Sequence, residues 1–214
     1  MQIILLCGGN GKRWGNYMGI KKHLAPVPEP LIERTLRQIG GSPLIVSDSS
    51  DFDYLPVKRV KPINPGYGNI DKILSAKKHW NPNGKTLLIL GDVYFTDEAI
   101  RTILDHNEKD WFQYGRLHRN RFTEKRYNEN FALSFYPEHH ESIIKAGKRS
   151  CELLQSKLIP RNCMAQWYRI MCGKDGKNAH TGGRQENLGN FVEINDLTDD
   201  IDKPEDYERL MTLI

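Results

Sequence analysis

Two stretches of the chain are apolar at nearly every position. Ile3-Ile4-Leu5-Leu6-Cys7 and Thr86-Leu87-Leu88-Ile89-Leu90 are runs of the kind found in parallel strands covered on both faces. From Pro30 to Ile39 the apolar residues recur at helical intervals. Proline in the first turn and Gly40-Gly41 beyond the end predict an amphipathic helix there. Leu44-Ile45-Val46 predicts the next strand, and Val57 to Val60 a short one. Ile70, Ile73, Leu74 and Lys77 share one face of a helix from Asn69 to Trp80, which Asn81-Pro82-Asn83-Gly84 stops. Asp97 is placed to cap a helix running to about Asn107. Strands and helices in alternation predict an α/β fold, a mostly parallel sheet between layers of helices.

After Trp111 the rhythm loosens. Phe131 to Tyr136 alternates like a half-exposed strand, and Pro137 opens a helical stretch to about Leu158. Trp167 and Tyr168 read as core residues and His139-His140 as a surface pair. Gly173 to Gly189 is polar and glycine-rich and predicts a long loop. Phe191 to Ile194 predicts a last strand, and Pro204 to Leu213 a closing helix. No repeat or low-complexity tract interrupts the chain, so its 214 residues predict one domain whose middle third is insertion-like.

Composition narrows the class. Hydrophobic residues at 38% and charged residues at 27% exclude a disordered chain. No apolar run approaches the roughly 20 residues that cross a bilayer. The first residues lack the basic region of a secretory leader, which predicts a cytoplasmic protein. Four cysteines without a paired spacing predict free thiols. Charge is uneven: residues 112–184 carry 14 Lys and Arg against 6 Asp and Glu, whereas residues 185–214 carry 2 against 9. The first segment suits an anionic partner, and the second an acidic site for a metal.

Candidate chemistry begins at Cys7-Gly8-Gly9-Asn10-Gly11-Lys12-Arg13. Glycines directly after a buried strand let backbone amides approach a ligand and form an anion nest, and Lys12 and Arg13 add full positive charge at its mouth. No Ser or Thr follows the lysine, so the loop is not a P-loop. Nor does it show the spacing of a dinucleotide fold. Gly91-Asp92 ends the second apolar strand, where open parallel sheets bind their ligands. In Asp199-Asp200-Ile201-Asp202, alternation puts Asp200 and Asp202 on one face of an extended segment. Glu205 and Asp206 fall in the first turn of the closing helix and read as caps.

In this order, the glycine loop, Lys22-His23-Leu24-Ala25-Pro26-Val27, Pro30-Leu31-Ile32-Glu33-Arg34, Asn64 to Ile70, Leu90-Gly91-Asp92 and Asp202-Lys203-Pro204-Glu205-Asp206-Tyr207 resemble the nucleotidyltransferases. These enzymes activate sugar phosphates, phosphocholine and related compounds, and include the molybdopterin guanylyltransferases. The resemblance covers about 110 residues at the start and about 20 at the end. It implies the three-layer fold of the nucleotide-diphospho-sugar transferases. Residues 1–111 would form the nucleotide half, 112–190 an acceptor-side region, and 191–214 the closing strand, metal ligand and helix. It implies Arg13 and Lys22 as catalytic residues, the family spacing favouring Lys22 over Lys21. Cys7, Gly8, Gly9, Asn10, Gly11, Asn64, Gly68, Asn69 and Gly91 would surround the nucleotide. Asp92 and Asp202, with Asp200 beside them, would hold Mg²⁺, or Mn²⁺ in its place.

The implied reaction moves a nucleoside monophosphate from a nucleoside triphosphate to a phosphorylated small molecule and releases pyrophosphate. The loop at Asn64 resembles the cytidylyltransferase branch, which favours CTP. The chain departs from that branch, carrying Asp71-Lys72 where a small hydroxyl residue is usual near the helix start. For the acceptor phosphate, Arg116, Arg119 and Arg121 are candidates, because arginine suits bidentate phosphate capture. The alternatives are a GT-A-type glycosyltransferase, which would show a second aspartate after Asp92-Val93, and a non-catalytic relative that binds nucleotide or nucleic acid.

Overall fold

A strand without polar positions has to be covered on both sides, and the two such strands form the middle of the sheet. In the computed structural model, which describes all residues except 9–10, 64–67, 118–121, 124–128, 161–162 and 178–186, they are β1 (Gln2–Leu6) and β4 (Thr86–Leu90). They pair in parallel from Gln2 opposite Thr86 to Leu6 opposite Leu90. On the far side of β1 lie β2 (Leu44–Val46) and β3 (Lys58–Val60), also parallel. Strand order therefore runs away from β1 in both directions. With right-handed crossovers, that reversal places α1 (Leu31–Ile39) and α2 (Gly68–Ser75) on opposite faces. It also opens a crevice at the carboxyl ends of β1 and β4.

Beyond β4 the chain adds β5 (Val93–Tyr94), α3 (Asp97–Asp105), β6 (Phe112–Arg116) and β7 (Glu129–Phe135). It continues with α4 (His140–Gln155), α5 (Met164–Met171), β8 (Phe191–Glu193), β9 (Asp199–Asp200) and α6 (Pro204–Met211). The main sheet has the order β3-β2-β1-β4-β7-β6-β8, and β5 pairs with β9 separately. Helices α2, α4 and α5 pack together, as do α1 and α3. The architecture is the expected α/β one, mostly parallel, with β7 antiparallel to both β4 and β6. Among the described residues no helix is long and apolar enough to cross a membrane, and none of the four cysteines forms a disulfide.

Several expectations need correction. The middle third does not stand outside the sheet: it contributes β6, β7 and two helices of one layer. β7 is buried along nearly its whole length instead of half-exposed, because it lies between β4 and β6 and β9 packs against it. The polar Asn130 and Ser134 in that strand disguise this. Thr96, not Asp97, caps α3, its hydroxyl accepting the Ala99 amide at 3.0 Å. The helix expected to reach Trp80 ends at Ser75 and continues only as a tight turn from Lys77 to His79. His140 is no free surface residue; its ring meets Trp80 and Phe135 edge-on at 5.1 and 5.6 Å. Trp167 and Tyr168 are core residues, as their neighbours' pattern suggests, but the helix α5 that carries them lacks a clear sequence signal.

A second, smaller core seats the segment that follows β1. Trp14, Ala25, Val27 and Leu31 pack with Tyr94, Phe122, Ile201, Tyr207 and Leu210. Trp14 is 2% exposed, donates from Nε1 to the Ile20 carbonyl at 2.8 Å, and meets Tyr17 and Tyr207 edge-on. Tyr207 also donates to the Pro26 carbonyl at 3.0 Å. Burying an indole of this size contributes about 3–5 kcal/mol by the cost of truncating it. That anchor fixes the chain on either side of Arg13 and Lys22.

Candidate functional site

Asp92 and Asp202 are 110 positions apart in sequence, and a short ladder brings them together. β5 pairs antiparallel with β9, Val93 opposite Asp200, and the amide of Ile201 donates to the Asp92 carbonyl at 3.2 Å. Beyond β9 the backbone turns into α6. Asp206 receives the amides of Asp202 and Lys203 at 3.2 and 3.1 Å, the capping role its position in the first turn implied. Asp202 is thereby held at 3% exposure, facing the crevice.

Lys22 stands between the two carboxylates. It sits in the tight turn Lys22–Leu24; its ammonium ion-pairs with Asp92 Oδ2 and lies 3.6 Å from Asp202 Oδ1. Arg13 reaches the other oxygen of Asp202 at 2.5 Å, its own side chain half exposed. Burial works against a charged Lys22, yet Asp92, Asp202 and Asp200 together raise its pKa above the ordinary lysine value. Burial likewise disfavours an ionised Asp92, but Lys22, with His23 and Lys72, holds its carboxyl well below the usual carboxylate range. Both carboxylates converge on one cation. This is a donor set suited to a divalent ion that takes one or two carboxylates and completes its shell with phosphate oxygens and water.

The glycine loop lies against this cluster. Gly91 passes so close to the loop that a Cβ added there would lie 2.2 Å from Cys7 Sγ. Cys7 itself is fully buried, and burial pushes its thiol far above the ordinary range, so it acts as packing and not as a nucleophile. Gly8 meets Lys72, while Gly11 turns the chain at φ +54°, its carbonyl receiving the amides of Trp14 and Gly15. Gly68 and Asn69 open α2 on the opposite face. Gly9, Asn10, Asn64, Arg119 and Arg121 lie outside the described residues. Asp200 is partly buried, and its charge acts on Lys22 through space.

Arg116 is placed differently from the sequence expectation. It is 1% exposed at the end of β6, with Nη2 2.6 Å from Asp199 Oδ2, so it ties β6 to β9. Asp199 takes the face of β9 opposite Asp200, and Thr123 also donates to its carboxylate. Charge density alone could not separate this buried arginine from its neighbours.

Two groups at the crevice carried no role in the sequence reading. His23 is 3% exposed and meets Phe52 edge-on at 5.5 Å, and among the described residues neither ring nitrogen has a hydrogen-bond partner. Burial pushes its pKa down to about 4, leaving it neutral near pH 7. Lys72, on α2, is 6% exposed. Its sequence signal was the departure at Asp71-Lys72 from the hydroxyl residue usual in that place.

No protein-family model matches the chain, and no curated protein does. Solved structures do match over nearly its whole length. An inositol-1-phosphate CTP transferase from T. maritima superimposes with a TM-score of 0.61 at 15% identity, covering 99% of this chain and 95% of that one. A nucleotidyl transferase from Methanothermobacter gives 0.62 at 14% identity, covering 99% and 96%. At these identities the likeness establishes that the chain has the nucleotidyltransferase fold.

Proposed function

We propose that the chain is a nucleotidyltransferase that moves a nucleoside monophosphate from a nucleoside triphosphate, CTP favoured, to a phosphorylated small molecule. The observation that carries this reading is the convergence of Lys22 and Arg13 on Asp92 and Asp202 at the carboxyl ends of β1 and β4, beside the glycine loop. An acceptor phosphate oxygen attacks the α-phosphorus, the bond to the β-phosphate bridging oxygen breaks, and pyrophosphate leaves. A phosphate nucleophile is already anionic, so no general base is needed. The protein's share is positioning and electrostatics. Loop amides and Arg13 receive the triphosphate, and Lys22 neutralises charge that builds at the α-phosphorus. Mg²⁺, where bound, would be held by Asp92 and Asp202 and would screen the phosphate charge.

The glycosyltransferase alternative loses support at Tyr94. That position, two after Asp92, is a buried ring under the Arg34 guanidinium at 5.1 Å, where a second metal-binding aspartate would have to stand. The decisive test is pyrophosphate release with each of the four ribonucleoside triphosphates against a panel of phosphorylated sugars, polyols and amino alcohols, with and without Mg²⁺. Absence of release with every pair would refute the reading.

A further inference from the structure

We infer that Lys72 is a nucleotide-binding residue of this chain, donating to an oxygen of the bound nucleotide from the face of the sheet opposite Lys22. The inference rests on the nucleotidyltransferase reading and deepens it. Lys22 approaches the strand ends from the segment between β1 and α1, whereas Lys72 comes from α2, on the other face. Its side chain nevertheless reaches the glycine loop: a Cβ built on Gly8 would lie 2.5 Å from Lys72 Cε and 3.3 Å from Nζ. A side chain at that position would displace the lysine's end from the loop. The ammonium is therefore at the loop's mouth, between the ends of β1, β2 and β4.

Among the described residues its hydrogen bonding is incomplete. An ammonium carries three N–H donors. Lys72 gives one to Asn69 Oδ1 at a long 3.3 Å, and among the described residues no carboxylate comes within ion-pair distance. Asp92 and Asp48 act on it only through space, and burial, the larger effect, lowers its pKa. A side chain 94% hidden from solvent, charged, and with donors left over is costly to a fold unless a ligand completes it. Lys22 and Arg13 differ in this respect, since their charges are matched by Asp92 and Asp202. An ammonium only donates, so the missing partner is an acceptor, and a nucleotide crossing this crevice offers either a base carbonyl or a phosphoryl oxygen.

The test is equilibrium binding, by calorimetry or dialysis with Mg²⁺ present, of the four ribonucleoside triphosphates and of inorganic tripolyphosphate. The proteins compared are the wild type, Lys72→Met, Lys72→Gln and Lys22→Met. Lys72→Met should weaken nucleotide binding by about one to two orders of magnitude, the loss of one charge-assisted hydrogen bond, and Lys72→Gln by less. Its thermal midpoint should hold or rise, because a buried charge without a carboxylate partner is removed. An equal loss for tripolyphosphate identifies a phosphoryl oxygen as the acceptor, and a loss confined to nucleotides identifies the base. Nucleotide affinity unchanged in Lys72→Met while Lys22→Met loses it would overturn the inference alone. A wild-type protein that binds no nucleotide would overturn the nucleotidyltransferase reading together with it.

Discussion

Replacing Arg116 by methionine should loosen the fold and not selectively weaken acceptor binding. The guanidinium lies 2.6 Å from Asp199 Oδ2, and the two side chains are 2% and 0% exposed. Thr123 donates to the same oxygen, and the other receives the Asp200 amide at 2.9 Å. Methionine fills much of the volume of the arginine stem, so the cavity contribution is small. What remains is a carboxylate sealed from water without its cation. Removing one partner of a buried pair costs about 3–5 kcal/mol. For a chain of this length, that corresponds to a fall of roughly 6–20 °C in Tm.

Asp199→Asn should cost less, since an amide still accepts from Thr123 and the Asp200 amide. The double variant should be no worse than Arg116→Met, because neither buried charge is then left alone. A cycle of urea titrations followed by tryptophan fluorescence would read this as a coupling energy of about 2 kcal/mol or more. The reasoning is refuted if Arg116→Met unfolds within about 1 kcal/mol of the wild type while its KM for a phosphorylated acceptor rises. That outcome would put the guanidinium back at the acceptor.

Gly91→Ala places a methyl group 2.2 Å from Cys7 Sγ and should cost about 1–3 kcal/mol by overpacking, with Cys7→Ala in the same chain restoring most of it in urea titrations. His23 takes up its proton near pH 6.5 when unfolded and only near 4 when folded, so stability is complete above pH 6.5 and declines as pH falls towards 4. The loss amounts to about 3 kcal/mol, and His23→Leu should flatten that part of the stability profile. Asp92→Asn should abolish pyrophosphate release and lower Tm, since Lys22 loses its nearer carboxylate and keeps only Asp202 at 3.6 Å; retained turnover would remove Asp92 from the reaction.

Fold legibility in this chain follows burial pattern. β1, β2 and β4 are apolar at nearly every position because both faces are covered, and a continuous apolar run leaves few other placements. β6 and α5 had no such signature. Gln113 and Arg116 are polar yet buried in β6, Gln113 through a hydrogen bond to the Ala132 carbonyl at 2.6 Å and Arg116 through Asp199. Partners this distant in sequence cannot be read from local pattern. Composition around Arg116 therefore suggested a basic segment for an anionic partner, and gave no sign of the sheet strand that the structure has there. α5 buries Trp167 and Tyr168 but is eight residues long, too short for a helical period to stand out.

Site legibility follows a different rule. Asp92 and Asp202 were legible because each stands at a fixed offset from a recognisable element, a strand end and a helix start. Their meeting depended on the β5–β9 ladder, which is two residues deep and left no trace in sequence. The structure adds that each carboxylate already has a cation. Asp92 pairs with Lys22 and Asp202 with Arg13, so each carboxylate has a cation against it at low exposure. If the proposed function holds, a triphosphate entering there would compete for those same cations. Its phosphates would draw Lys22 and Arg13 away, leaving the carboxylates to an incoming divalent ion. Metal affinity should accordingly be weak without nucleotide and rise with it, an ordering that Mg²⁺ titrations with and without a non-hydrolysable triphosphate would reveal. Equal affinity in both conditions would mean that the ion pairs do not gate the site.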